Sequence, residues 1–334
     1  MRAFVRQHLF SILIIACAAT AFAFPAPFTE IRGFRVARLM VPLIQVIMFG
    51  MGMKLAPSDF AEIVRRPWPV AVGAFLQFSV MPALGFLIAR AVGLDGDLAA
   101  GVVLVGSAAG GVASNVIAYL AKANVALSVA MTTVSTLLSP LLTPLLMQVF
   151  AGRFIAVDVV AMVLSLVNMI VVPILLSQLA RIVLERVRPG ATVAVDRVLP
   201  LLSMTAICVI MTVCVAASRD TVKEAGLLLL AVAALHNTCG YLLGYWGARL
   251  LSRVAPISER DCRTVAIEVG MQNAGMSQAL ALDVLKSAAV SVAPTIFGVW
   301  MDFSGSLLAG WWARRDPDCC RSNRTNAYTN KPRR

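Results

Sequence analysis

Two carboxylates, Glu268 and Asp302, lie deep inside long apolar stretches of this 334-residue chain, whereas its other acidic residues fall in polar segments or near the ends of apolar stretches. A carboxylate at bilayer depth costs about 2.5–3.5 kcal/mol on insertion scales, so it normally faces the protein interior and has a partner. No Lys or Arg occurs at a matching depth. A bound cation is therefore the simplest partner for Glu268, with protonation or a hydrogen-bonded structural role as the alternatives.

Two short segments inside apolar stretches favour interrupted helices. Residues 268–275 read EVGMQNAG, and residues 110–115 read GGVASN. Glycine and asparagine favour unwound or capping backbone, which is tolerated at membrane depth only where it is buried or lines a cavity. Carbonyls and half-helix ends at such breaks suit an ion. The alternative, that small residues merely allow close helix packing, does not require Asn115, Gln272 and Asn273.

Hydroxyl side chains follow the first of these segments. Three of them recur at helical spacing and so share one face, namely Ser128, Thr132 and Ser135. Each one alone is explained by a hydrogen bond to its own helix backbone. As a set that faces Ser114, Asn115 and Glu268, their oxygens favour a hard monovalent cation.

The composition indicates the helices that must position these groups. The chain is 59% hydrophobic and 14% charged, with a mean hydropathy of +0.83, whereas a soluble chain is about 45–50% apolar and about 25% charged. Ten apolar runs, each about long enough to cross a bilayer, occur at about 8–28, 36–53, 68–92, 97–121, 124–149, 154–184, 197–217, 222–251, 262–282 and 285–312. The sequence therefore predicts an all-α polytopic membrane protein. The first run also fits a cleaved secretory signal, which would leave nine helices.

A weak internal repeat appears at an offset of 159 residues, where Gly111 falls on Gly270 and Ser114 on Asn273. Five helices per half would make the halves insert upside down relative to each other. We therefore expect residues 1–153 and 154–313 to be two inverted five-helix repeats. Most of the 29 lysines and arginines fall on the side of the two termini, which predicts cytoplasmic termini. Residues 314–334 are predicted to be a basic, disordered cytoplasmic tail.

Other classes of protein fit less well. The net charge of +12 comes from cations in short segments between apolar runs, so we expect the lipid bilayer and no nucleic acid as a partner. The seven cysteines show no disulfide framework, and the pair Cys319-Cys320 is either acylated or an ordinary part of the tail. An intramembrane enzyme would need more than His8 and His236, since no metal motif is present. We expect His236 to be hydrogen-bonded within the eighth helix and not catalytic. We infer no organic cofactor and no obligatory protein partner.

The segments described above also carry a family resemblance. Residues 48–55 read MFGMGMKL and residues 57–60 read PSDF; together with 110–136 and 268–275 they resemble bacterial members of the bile acid:sodium symporter family. The resemblance covers nearly all of residues 8–312. It implies ten transmembrane helices in two inverted five-helix repeats, with helices four and nine broken and crossing. It also implies a panel domain of helices one, two, six and seven, and a core domain of the others.

The resemblance further implies two sodium ions as coupling ions. The first would be held by Ser114, Asn115, Ser128, Thr132 and Glu268. The second would lie between Gln77, the Glu268 carboxylate, the backbone carbonyls of Val269 and Met271, and Gln272.

The organic anion of the family would bind between core and panel, beside half-helix N-termini that present unpaired N–H groups. The positions that correspond to substrate contacts are Val112, Ala113, Asn273 and Asp302. Val112 replaces a threonine common in relatives, and Met301-Asp302 replaces histidine-asparagine, so the substrate is the least defined feature.

The predicted function is sodium-coupled symport by alternating access in the inner membrane. The substrate would be an organic anion, bile-acid-like or a small carboxylate such as pantoate or a 2-keto acid. Proton-coupled or sodium-independent transport is the alternative, with Glu268 or Asp302 carrying the proton.

Overall fold

The computed structural model describes residues 13, 16–55, 61, 63–187, 190 and 192–315. The interpretations of Cys319-Cys320 and of the tail beyond Arg315 lie outside these residues. Residues 16–23 are helical, and Ala21 is buried against Val215 and Ala216. A short helix, Ala26–Thr29, then leads into a hairpin of β1 (Glu30–Ile31) and β2 (Phe34–Arg35). Its two turn residues, Arg32 and Gly33, have positive φ angles, which suits a two-residue hairpin turn.

Helices make up nearly all of the remaining described chain. After a 3-10 turn (Val36–Leu39) they are α1 (Met40–Lys54), α2 (Pro67–Val92), α3 (Gly96–Gly106), α4 (Ala113–Leu120), α5 (Val125–Leu146), α6 (Val159–Leu166), α7 (Val172–Val187), α8 (Thr192–Ala217), α9 (Arg219–Leu251), α10 (Glu259–Gly270), α11 (Ala274–Asp283) and α12 (Ala288–Ala313). One π-helical segment (Met147–Ala151) extends α5, and another (Val167–Val171) joins α6 to α7.

Six helical stretches of the described chain are long and apolar enough to cross a membrane. They are Val36–Lys54, Pro67–Val92, Val125–Ala151, Val159–Val187, Arg219–Leu251 and Ala288–Ala313. Large apolar side chains are exposed along these stretches, as expected for surfaces that face lipid. The prediction of an all-α, multi-pass membrane protein is confirmed.

Both predicted helix breaks are confirmed. The fourth apolar run forms α3 and α4, which are separated by residues 107–112, and the ninth forms α10 and α11, which are separated by residues 271–273. Asn273 is the N-cap of α11, where its side-chain oxygen accepts a hydrogen bond from the Met276 N–H at 3.1 Å. Asparagine is a preferred residue at this position because it satisfies an otherwise unpaired N–H group.

The two breaks cross and bond to each other. The Gly111 N–H donates to the Met271 carbonyl at 2.9 Å, and the Asn273 N–H donates to the Ala109 carbonyl at 2.8 Å. Together with a bridge between Gly110 and Gln272, they form a short antiparallel ladder. Hydrocarbon offers no hydrogen bonds to open backbone, so pairing the breaks removes a cost of several kcal/mol per group.

The helices pack into two groups around this crossing. In the first group, α1 packs against α7 and α8. In the second, α2, α5, α9 and α12 enclose the two broken pairs. The groups meet where α1 contacts α11 and where α8 contacts α12. The crossing therefore lies next to the boundary between the groups.

Gly111→Ala tests whether the crossing needs a glycine. An added Cβ atom would lie 2.5 Å from the Gln272 carbonyl oxygen, which belongs to the facing backbone and cannot rotate away. We expect a loss of about 1–3 kcal/mol in the free energy of unfolding, measured by thermal unfolding of the detergent-purified protein. Gly310→Ala is the control, since its Cβ would meet open space. Equal melting temperatures for the two variants would contradict this account.

Candidate cation and substrate site

The Glu268 carboxylate lies in a shell of hydroxyl groups from α4 and α5. Its side chain is only 2% exposed. Ser114 donates to its Oε1 at 2.5 Å, Ser128 also donates to Oε1, and Thr132 donates to Oε2 at 2.9 Å. No ion pair joins Glu268 to a basic side chain within the described residues. The structure thus brings four of the five predicted ligands of the first ion into direct contact.

These hydroxyl groups have alternative acceptors nearby. The Ser114 Oγ lies 2.7 Å from the Gly111 carbonyl oxygen, and the Thr132 Oγ1 lies 3.0 Å from the Ser128 carbonyl oxygen. A hydroxyl group has one proton and two lone pairs. When the two hydroxyl protons point toward these carbonyl oxygens, the lone pairs of the hydroxyl oxygens become available beside the Glu268 carboxylate. The same atoms can therefore stabilise the bare carboxylate or help to coordinate a cation.

Asn115, the fifth predicted ligand of this ion, has an unused acceptor. Its Oδ1 atom is buried and has no hydrogen-bond partner within the described chain. Asn115 follows Ser114 directly in the first turn of α4. A buried amide oxygen without a partner is costly, so a cation nearby would satisfy it.

The residues predicted for the second ion are only partly assembled. Gln77 Nε2 donates to Gln272 Oε1 at 2.6 Å, and Gln272 Nε2 donates to the Val269 carbonyl at 2.6 Å. Gln77 Oε1 is buried without a partner. The Met271 carbonyl accepts the Gly111 N–H instead, and no hydrogen bond between Gln77 and Glu268 occurs in the described structure.

The hydroxyl groups of Thr133 and Ser135 bond elsewhere than to Glu268. Thr133 donates to the Val129 carbonyl of its own helix at 2.7 Å. Ser135, which helical spacing placed on the same face as Ser128 and Thr132, accepts the Gly110 N–H at 3.2 Å and so supports the first break. Of the three residues grouped by spacing, Ser128 and Thr132 therefore contact Glu268 directly.

An ion-pair network sets the relative positions of the helices that carry the site. Arg66, just before α2, donates to both carboxylate oxygens of Asp261 in the first turn of α10, at 3.0 and 2.6 Å. Asn124, the N-cap of α5, donates to Asp261 Oδ1 at 2.8 Å. Glu268 lies seven residues after Asp261 in α10, which is a distance of about 10 Å at 1.5 Å per residue. The network therefore aligns the starts of three helices that carry predicted ion ligands.

Asp261 is held in its ionised form. Burial by itself would raise the pKa of this carboxyl, but hydrogen bonds from Ser258, Arg66 and Asn124 outweigh burial and lower the pKa below its usual value. Asp261 also completes a capping box with Ser258 at the start of α10. Sequence reasoning missed this network, since Arg66 and Asp261 are 195 residues apart.

A crevice opens beside the crossing, at the boundary between the two helix groups. The broken segments, α1, α8 and α12 form its walls. All four predicted substrate-contacting residues line it, namely Val112, Ala113, Asn273 and Asp302. The Nδ2 atom of Asn273 is buried and has no partner among the described groups. The crevice is thus an apolar cleft with a few polar groups, as is typical of small-molecule sites.

A second set of polar residues connects α12, which lines the crevice, to the second break. These residues were not predicted from the sequence. Asn237 donates from Nδ2 to the Gly270 carbonyl at 2.9 Å and accepts from Ser304 at 2.6 Å. The feature of the sequence that could have indicated Asn237 is an amide side chain inside an apolar run, next to His236. The hydrogen bond expected for His236 is present, but it reaches the Met81 carbonyl of α2 at 2.9 Å.

Comparison with known proteins identifies the family. The model of the sodium bile acid symporter family matches residues 41–225, more than half of the chain. The chain belongs to this family. The uncharacterized sodium-dependent transporter YocS of Bacillus subtilis is 39% identical over 306 residues, which cover 92% of this chain and 91% of YocS.

More distant members of the sodium bile acid symporter family extend the comparison. The probable chloroplastic sodium/metabolite cotransporter BASS2 of Oryza sativa is 35% identical over 275 residues, or 80% of this chain and 62% of that protein. The human ileal sodium/bile acid cotransporter is 28% identical over 249 residues, or 74% of this chain and 69% of that protein. The protein is thus a multi-pass member of a family of sodium-dependent transporters.

Arg66→Gln tests the network that aligns the helices. Asp261 would remain buried without its guanidinium partner, so we expect a loss of about 2 kcal/mol in the free energy of unfolding at neutral pH. Because the folded-state pKa of Asp261 is lowered, the Arg66 contribution is present above about pH 4 and decreases as the pH falls through the folded-state value.

The control is Arg65→Gln, which removes the same charge from the adjacent, exposed residue. Thermal unfolding of both variants between about pH 7 and pH 3 measures the effect. An equal loss in both variants, or a difference that does not change with pH, would contradict the assigned role.

Proposed function

We propose that this protein is a sodium-coupled symporter of small organic acids that works by alternating access. The observation that carries the proposal is the buried Glu268 carboxylate at the crossing of two broken helices. Three hydroxyl groups donate to it, and no basic side chain within the described ranges neutralises it. Three hydroxyl groups can donate to an ionised carboxylate, and a metal ion would then be the partner of its charge.

Two sodium ions would bind next to this carboxylate. The oxygens around Glu268 support the first ion, including the unpartnered Oδ1 atom of Asn115. The second ion would use the free Oε1 atom of Gln77 and the carbonyls of Val269 and Met271. Each of these carbonyls accepts one hydrogen bond, from Gln272 and from Gly111, and a carbonyl oxygen has a second lone pair for a cation.

The substrate would bind in the crevice with its acidic group at the break. The N-termini of α4 and α11 both begin among crevice residues, at Ala113 and Ala274. The positive ends of the two helix dipoles favour an anionic group there. The unpartnered Nδ2 atom of Asn273 adds a hydrogen-bond donor at the same place.

Sodium and substrate would be coupled through the second break. Glu268 lies four residues before Gln272, where the crevice-lining segment 272–275 begins. An ion that orders this segment raises the affinity for substrate, and the substrate raises the affinity for sodium by the same factor. Two sodium ions with a monovalent anion carry one net positive charge, which adds about 2.3 kcal/mol of driving force at 100 mV.

The ten-helix inverted repeat provides the two alternating states. Each half would contain a long helix, a broken pair and a second long helix, as in α2 to α5 and α9 to α12. The lysines that end the two broken pairs, Lys122 and Lys286, have nearly equal positive φ angles of 54° and 53°. Residues 1–153 and 154–313 would be the repeats. The first group of helices would form the panel and the second the core, with both termini cytoplasmic at the inner membrane.

Transport in liposomes tests the proposal directly. The purified protein is reconstituted into liposomes. Uptake of radiolabelled pyruvate, pantoate, taurocholate and small amino acids is then measured under an inward sodium or potassium gradient. We expect sodium to raise the initial rate at least tenfold for one or more of these compounds, and we expect Glu268→Gln to abolish this effect. Equal rates in sodium and potassium for every compound would contradict sodium coupling.

Thr132→Val and Thr133→Val form a matched pair that tests the first ion site. Thr132 contacts Glu268, whereas its neighbour Thr133 bonds only to the Val129 carbonyl of its own helix. Loss of one oxygen ligand is expected to weaken sodium binding about tenfold, which corresponds to about 1.4 kcal/mol. Sodium-dependent thermal stabilisation, with potassium as the reference ion, measures the affinity. A similar loss in Thr133→Val, or no loss in Thr132→Val, would exclude this ion site.

A further inference from the structure

The Asp302 carboxylate lies at the crevice without a partner. Asp302 is partly buried on α12 and lines the crevice together with Met301 and Gly298. No hydrogen bond to its side chain occurs within the described structure; its backbone carbonyl accepts from the Ser306 hydroxyl at 2.8 Å. Among the described residues that line the crevice, none is Lys, Arg or His. This carboxylate therefore faces whatever occupies the crevice.

Two other buried polar groups at the same crevice also lack partners. The Nδ2 donor of Asn273 has none, in a residue only 9% exposed. The Oε1 acceptor of Gln278 has none, in a residue that is fully buried. Buried polar atoms are satisfied in the great majority of cases, so these two atoms are available to a ligand in the cleft. The crevice thus offers a donor, an acceptor and a carboxyl group.

The remaining walls of the crevice supply no balancing charge. They consist of apolar side chains from α1 and α8, namely Ile44, Ile47, Met48, Ile207, Ile210 and Met211. In such surroundings, like charges repel more strongly than in water. A simple organic anion would place its charge in the same apolar cleft as Asp302. A substrate with a positive group would instead pair with this carboxylate.

We propose that the substrate is a zwitterion, a small carboxylic acid that also bears an ammonium group. Its carboxylate would bind at the N-termini of α4 and α11 and accept a hydrogen bond from Asn273 Nδ2. Its ammonium group would donate to the Asp302 carboxylate. An ammonium ion satisfies both the charge and the acceptor atoms of Asp302, whereas a hydroxyl group satisfies only the acceptor atoms. This inference rests on the proposed function and specifies the substrate class of the same site.

Matched pairs of acids test the proposal in the unaltered protein. In each pair the compounds have the same carbon chain and differ only by the amino group, as in 4-aminobutyrate and butyrate, or β-alanine and propionate. Binding to the purified protein in sodium is measured by calorimetry. We expect the amino-bearing compound to bind at least tenfold more tightly in at least one pair. Equal binding of the two compounds, or tighter binding of the simple acid, in every pair overturns the proposal.

Asp302→Asn then tests the residue itself. We expect the amino-bearing compound to bind at least tenfold more weakly and the simple acid to bind more tightly. Asp220→Asn is the control, since it removes a carboxylate that is 89% exposed and lies away from the crevice. A cooperative thermal unfolding transition, measured without added ligand, shows that each variant is folded. Asp302→Ser serves the same purpose if Asp302→Asn does not fold.

The possible results separate this inference from the proposed function. If sodium promotes binding of organic acids but Asp302→Asn leaves the preference for the amino group unchanged, this inference fails and sodium coupling stands. If Asp302→Asn removes sodium binding without affecting any preference between the acids, Asp302 holds a cation and this inference is wrong. If sodium promotes neither binding nor uptake of any compound, the proposed function fails as well.

Discussion

The burial of the Glu268 carboxylate determines which groups must surround it. An ionised carboxylate that is 2% exposed needs donors on both oxygens, and here α4 and α5 supply them through Ser114, Ser128 and Thr132. Hydrogen bonds reduce the cost of burial but leave the charge in place. The Ser114 and Thr132 hydroxyl groups also have carbonyl acceptors nearby, so their hydrogen bonds to the carboxylate can be exchanged for bonds to the backbone.

The crossing of the two breaks follows from the need to bring α4 and α10 together. Helix termini expose unpaired N–H and C=O groups, which are costly away from water. The short ladder between residues 109–111 and 271–273 pairs some of these groups directly, and it requires glycine where the two backbones approach most closely. The break thus joins the buried Glu268 carboxylate to the crevice, where Gln272 and Asn273 form part of the wall.

The two breaks, and the helix face on which Ser128 and Thr132 lie, were predictable because their signals are local. Adjacent glycines or amides together with asparagine favour an interrupted helix. Helical spacing places Ser128 and Thr132 on one face and Thr133 on another. The contact between Gln77 and Gln272, and the network of Arg66, Asn124 and Asp261, were less accessible. These pairs are separated by 137 to 195 residues, and no pattern in the sequence relates them.

The sequence by itself determined that the chain is an all-α membrane protein with two interrupted helices and a carboxylate at membrane depth. These properties depend on the hydrophobicity and backbone preference of each short segment. Only the tertiary structure decided which oxygens meet Glu268, since Ser114 lies 154 residues away from it along the chain. It also decided that Asp302 borders the crevice without a partner. Such contacts depend on how whole helices pack, which the composition of a single helix does not specify.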